Sequence, residues 1–137
     1  MTRRYVLDTN VLIHIADQAD GWEQIVHKMD AAGKENLILS AVTAWEIFRQ
    51  VARAKLKKRV LHAAVEMLSI FKVESLSGQM AALGGSNHGT LMNRGIAFGE
   101  QDSMIAATVM SLDCVMVSDD RLFAAVPGIT LENWRVT

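Results

Sequence analysis

Four stretches of the chain set carboxylates within apolar or amphipathic sequence. Asp8 lies in "RYVLDTNVLI", Glu46 in "LSAVTAWEI", Asp102 in "GEQDSMIAATVMSL", and the pair Asp119–Asp120 follows "CVMVS". A carboxylate buried among apolar residues costs several kcal/mol unless something pairs with it. Taken alone, Asp8 reads two ways: as the cap of a following helix, or as a ligand that faces a cleft and holds a cation. No lysine or arginine stands immediately beside Asp8, Glu46 or Asp102. Clustered carboxylates raise one another's pKa unless a cation is present. Oxygen-only ligands that leave room for water suit Mg²⁺ or Mn²⁺ rather than zinc, and no Cys/His pair stands at metal-binding spacing. Such an ion polarises a phosphoryl oxygen, lowers the pKa of a bound water and steadies a leaving oxygen, which is the apparatus of phosphodiester hydrolysis.

For these acids to meet, the elements around them must bring them to one edge. "RYVL", "NLILS", "FKVESL", "CVMVS" and "ITLENW" read as short strands. Helical spacing runs through "GWEQIVHKMDAAG", which stops at Gly33, and from Ala41 to Ala54 through Val42, Trp45, Phe48, Val51 and Ala52. A further helix runs from Lys58 to Phe71 and another over "EQDSMIAATVMSLD", with acids in its first turn, where the helix dipole favours them. "DDRLFAAV" reads as a short helix and "PG" as a turn. Between Ser77 and Asn93 the glycines of "LGGSNHG" leave two helical pieces or a loop open. Strands alternating with helices predict an α/β/α sandwich, a short parallel sheet flanked by helices on both faces. Ligands bind such sheets beyond the carboxyl ends of the strands, where Asp8, Asp102 and Asp119–Asp120 are expected, with Glu46 one to two turns into the helix after "LILS".

With 137 residues, half of them apolar, the chain is expected to form one domain spanning residues 1–137 with a proper core. The formal net charge of −1 neither announces nor excludes a nucleic-acid partner. The single cysteine, Cys114, cannot form an internal disulfide and reads as core packing in a reducing cytosol. No apolar run reaches membrane-spanning length and Arg3–Arg4 opens no signal peptide, so a soluble, cytoplasmic protein is expected.

The blocks resemble the PIN-domain ribonucleases, and specifically the VapC-type toxins of type II toxin–antitoxin pairs. "YVLDTNVLI" resembles their opening strand and D-T/S-N/S turn, and "LSAVTAWEI" the S-x-x-T-x-x-E segment. "GEQDSMIAATVMSL" resembles G-x-x-D-x-x-I-A-A, and "VMVSDDRLFAAVPGITLENW" the closing stretch that ends in tryptophan. The blocks run in family order from Tyr5 to Trp134. The resemblance implies a PIN-like fold, a Mg²⁺ or Mn²⁺ cofactor, and cleavage of RNA by a metal-activated water. It places Asp8, Glu46 and Asp102 as the metal-binding catalytic acids, Asn10 in the turn, and Ser40, Thr43 and Ser118 as supporting hydroxyls. The fourth acid lies between Asp120, preferred as catalytic ligand, and Asp119, kept as a metal-shell or capping neighbour. It also implies an RNA substrate, a homodimer, and a cognate antitoxin whose segment lies in or near the active site.

"RQVARAKLKKR" packs six basic residues, Arg49, Arg53, Lys55, Lys57, Lys58 and Arg59, into eleven. It admits two readings, a contact for RNA phosphates or a solvated helix end. His14, His27, His62 and His88 lie outside the acid blocks and read as surface or helix-face residues. Trp22 and Trp45 fall on apolar helix faces, which favours core or interface packing over base stacking. Three other functions compete: a PIN nuclease of RNA processing without an antitoxin, a non-catalytic nucleic-acid-binding PIN module, and a haloacid-dehalogenase-type phosphatase. The last wants an aspartate where Asn10 stands and a later lysine that "VSDD" does not supply.

Overall fold

The computed structural model describes residues 2–135. Five short strands form one parallel sheet: β1 (Tyr5–Leu7), β2 (Leu37–Ser40), β3 (Lys72–Glu74), β4 (Val115–Val117) and β5 (Leu131–Glu132), in the order β3-β2-β1-β4-β5. Six α-helices accompany them: α1 (Thr9–Asp17), α2 (Trp22–Ala32), α3 (Ala41–Arg53), α4 (Lys58–Ile70), α5 (Gly78–Asn93) and α6 (Glu100–Ser111). The chain starts in the centre, winds outward to β3, then crosses to β4 on the other side of β1. The winding therefore reverses between β1 and β4, whose registers pair Tyr5 with Val115 and Leu7 with Val117.

Side chains alternate across a strand, and the alternation divides the core into two layers. Val6, Ile38 and Met116 face one layer with Val42, Leu91, Phe98, Ile105, Val109 and Phe123. Leu7, Leu39 and Val117 face the other with Leu12, Ile25, Ile47, Val60 and Trp134. Both faces of the sheet are thus covered, as a parallel sheet requires, and the predicted α/β/α sandwich is the observed architecture. Cys114 is buried and free.

Several elements differ from the sequence reading. Residues 9–17, given no separate helix above, form α1, with Asp8 as its N-cap. Its segment is short and mixes β-branched residues into the apolar run, so its period is masked. The glycine-interrupted stretch is one continuous helix, α5. A Cβ on Gly84 would stand 3.2 Å from the Ser103 carbonyl and 3.4 Å from Ala107 Cβ, so this glycine lets α5 lie close against α6. Residues Arg121–Ala125 are 3₁₀ rather than α. Of the predicted stripe of α3 only Val42 faces the core: it is buried together with Thr43 and Ile47, whereas Trp45 is 52% exposed and Phe48 54%. Trp45 is therefore not a core residue.

Candidate metal centre

Asp8 is the first residue beyond β1, at the reversal point of the sheet, and is 3% exposed. Its backbone N–H donates to the Val117 carbonyl at 3.0 Å, which fixes it between β1 and β4. Thr9 N–H donates to Oδ1 at 2.8 Å and the Ser118 hydroxyl donates to Oδ2 at 2.8 Å. Burial pushes its pKa up to about 7; the negative charges of Asp102 and Glu46 push the same way, and the bonds from Ser118 and Thr9 oppose them. Asp8 is thus the cap of α1 and a buried carboxylate whose charged form its surroundings disfavour.

Glu46 reaches the same edge from the second turn of α3. The Thr9 hydroxyl donates to Glu46 Oε1 at 2.7 Å and lies 3.0 Å from Thr43 Oγ1. Ser40 is fully buried at the start of α3, where its hydroxyl accepts from Val42 N–H at 3.0 Å. Ser40 thus acts on the site through the helix that carries Glu46, as its cap. Asp102 stands in the first turn of α6, and its pKa is raised to about 6 by burial, then by Glu46 and Asp120. Gly99 makes room for it: a Cβ there would come within 3.2 Å of Asp102 Oδ2.

The pair after β4 divides. Asp120 N–H donates to Ser118 Oγ at 3.0 Å, so one hydroxyl links Asp120 to Asp8. Asp120 also caps the 3₁₀ turn, accepting from Leu122 N–H at 3.0 Å, and its charge acts on Asp102. Capping thus falls to Asp120, not to Asp119 as the sequence reading allowed. Asp119 turns away to Arg135, whose Nη1 donates to its Oδ2 at 3.0 Å, with His14 Nδ1 at 4.0 Å. The Arg135 guanidinium thus supplies Asp119 with a positive charge of the kind a metal ion would otherwise provide. Asn10 stands exposed in the first turn of α1 rather than in a turn that presents Asp8.

Asp8, Glu46, Asp102 and Asp120 thus form one electrostatically coupled group, with Thr43 and Ser118 in its support. Among the described residues none of the four has a basic partner within ion-pair distance. Nor are three His, Cys, Asp or Glu side chains gathered, as they stand, tightly enough to hold an ion. The donor set, all oxygen and partly desolvated, fits a hard divalent ion rather than zinc. Sequence reasoning missed two participants. Thr9 tethers Glu46, and its signal was its place directly after Asp8. Arg135 neutralises Asp119 from 16 residues further along the chain, and no sequence spacing reports that.

The basic run lies on the end of α3, the following loop and the start of α4. Arg53, Lys55, Lys57 and Lys58 are exposed there, while Arg59 pairs with Asp17 at 3.6 Å. Of the histidines, His27 and His62 are exposed, whereas His14 is half-buried against Asp119 and Arg135. Among the described residues no helix is long and apolar enough to cross a membrane.

The chain is similar to ribonuclease VapC2 of Haemophilus influenzae, 27% identical over 132 residues that cover 96% of this chain and 98% of that one. It is 26% identical over 132 residues to the tRNA(fMet)-specific endonuclease VapC of Salmonella typhimurium, covering 96% and 98% of the two chains. The fold superposes on a chain in the crystal structure of DNA-bound VapBC from Salmonella typhimurium with a TM-score of 0.82 and 25% identity, over 96% of this chain and 98% of that one. The PIN domain family profile matches residues 5–129, from the first strand through the four acids to the turn before β5. By this match and by its five-stranded parallel sheet, the chain belongs to the PIN domain family.

Proposed function

We propose that this protein is a Mg²⁺- or Mn²⁺-dependent endoribonuclease that acts in the cytoplasm as the toxin of a toxin–antitoxin pair. The observation that carries this reading is the coupled group Asp8, Glu46, Asp102 and Asp120, with no cationic partner, at the reversal point of the sheet. The VapC ribonucleases among its relatives support RNA as the substrate, and the VapBC complexes among its structural neighbours support an antitoxin partner.

Asp8, Glu46, Asp102 and Asp120 would hold the ion. Bound there, it supplies Lewis-acid polarisation of the phosphoryl oxygen and lowers the pKa of water. The protein's own residues do the rest. Ser118 and the Thr9 amide fix both oxygens of Asp8, so this carboxylate cannot rotate out of the cleft. Thr9 and Thr43 hold Glu46, and the Gly99 turn leaves space for Asp102. Arg49, Arg53, Lys55, Lys57 and Lys58 attract and orient the RNA backbone. An antitoxin segment lying in or near the acid edge blocks the substrate, and the active toxin is a homodimer.

The test is cleavage of structured RNA by partner-free protein with Mg²⁺, with Mn²⁺ or with EDTA, beside Asp8→Asn. Cleavage requires the ion and is lost in the variant; cleavage that survives EDTA, or is undiminished by the substitution, refutes the proposal. Expression that arrests growth, relieved by the same variant, separates a toxin from an RNA-processing nuclease.

A further inference from the structure

Between α3 and α6 lies a cavity of about 390 Å³, lined by Ala41, Val42, Trp45, Leu76, Gln101 and Met104. Its position follows from the sequence. Trp45 directly precedes Glu46, and Gln101 directly precedes Asp102, so the walls of the cavity are the chain neighbours of two acids. Its lining is apolar apart from the Gln101 amide. One wall is an indole, half exposed, with the Arg49 guanidinium 4.7 Å from its ring centroid. That stack fixes the ring and sets a cation beside it. Phe48, one turn further along α3, is also exposed. Arg49, Arg53, Lys55, Lys57 and Lys58 continue from there, and none has an ion-pair partner among the described residues.

Exposed aromatics interleaved with unneutralised cations are what a single-stranded nucleic acid requires: flat faces for bases and charge for the backbone. A protein partner would leave those cations to be matched by acids of its own. We infer that the α3–α6 cavity is a nucleobase subsite, in which Trp45 stacks on a base next to the scissile phosphate and the Gln101 amide bonds to that base's edge. This rests on the ribonuclease reading above and adds to it the group that recognises the base. An apolar floor with one amide, a group that both donates and accepts, accommodates any base face while favouring those with an adjacent donor–acceptor edge. The requirement is for an unpaired base, because a base within a duplex cannot reach an indole on the protein surface.

The experiment compares wild type, Trp45→Ala and Trp45→Phe in EDTA, so that binding is measured without cleavage. Two labelled probes are followed by fluorescence anisotropy: a short oligoadenylate, and a ribose-phosphate oligomer of equal length without bases. Trp45→Ala is expected to weaken oligoadenylate binding by roughly tenfold or more, the scale of one base–aromatic stack. It should leave the abasic oligomer's affinity unchanged, and Trp45→Phe should restore most of the loss. Equal weakening of both probes, or of neither, overturns the subsite. Unchanged affinities with a loss of dimer mass by light scattering also overturn it, and assign the face to a protein partner. The exposure of Trp45 makes misfolding separable, because the melting temperature of Trp45→Ala should match wild type. If wild-type protein neither binds oligoadenylate nor cleaves RNA with Mn²⁺, the ribonuclease reading itself fails. If wild type cleaves and Trp45→Ala binds both probes normally, only the subsite fails.

Discussion

Replacing Asp8 by asparagine should abolish the proposed nuclease activity and, in metal-free protein, make the fold more stable. The pKa of Asp8 is raised from 3.8 to about 7, chiefly by burial. A folded-state pKa above the unfolded one means that the protonated form is preferred on folding. Stability is then fully present below about pH 4, falls as pH rises towards the folded value, and its loss is complete above about pH 7. Three pKa units at 1.36 kcal/mol each amount to about 4 kcal/mol at pH 8, as an order of magnitude. Asparagine carries no charge to desolvate. It can keep both bonds, with its Oδ1 accepting from Thr9 N–H and its Nδ2 donating to Ser118 Oγ. At about 3 °C per kcal/mol for a chain of this size, metal-free Asp8→Asn should melt roughly 10 °C above wild type at pH 8. By pH 5 the gain should shrink to about a third, because wild-type Asp8 is then mostly protonated in the folded state. Adding Mn²⁺ at pH 8 should raise the melting temperature of wild type and leave the variant nearly unmoved. Calorimetric melts at the two pH values, with EDTA or with Mn²⁺, read all of this. A variant that melts at or below wild type in EDTA at pH 8, or a difference that does not narrow at pH 5, refutes the reasoning.

Thr9→Val keeps the shape of the side chain but takes the donor from Glu46. Its Mn²⁺ affinity by titration calorimetry should fall 10–100-fold, the usual effect of losing a group that orients a ligand. Gly84→Val drives a branched side chain into the Ser103 carbonyl and should cost about 1–3 kcal/mol in denaturant melts. Gly85→Ala on the same helix meets nothing within 4 Å and should instead stabilise by roughly 0.5–1 kcal/mol. The pKa of His14 is held below its ordinary value first by burial and then by Arg135, with Asp119 opposing. Arg135→Ala should therefore raise it in an NMR titration, and an unchanged value would disprove the contact.

What the sequence determined by itself is the layered pattern and the acids. Short continuous apolar runs such as "YVL" and "LILS" predict buried strands, and those strands with the helices between them predict a parallel sheet. A parallel sheet in turn has one edge at which residues following different strands converge. Asp8, Asp102 and Asp120 were legible because each adjoins an element boundary, and a boundary is a local feature. Tertiary structure decided matters that depend on which side chain meets which across long separations. Ser118 and Asp8 are 110 residues apart in sequence and joined by a 2.8 Å bond, while Arg135 takes Asp119 out of the acid group. The glycines of α5 looked like breaks because propensity is local, and are tolerated because α6 packs against Gly84. Trp45 shows the same limit from the other side. An apolar stripe at helical spacing says that a face will be covered, but only the packing of α3 shows that the face outside the core is the one bearing Trp45 and Phe48. Periodicity fixes relative positions around a helix; the helix's rotation against the sheet is set by the sum of its tertiary contacts.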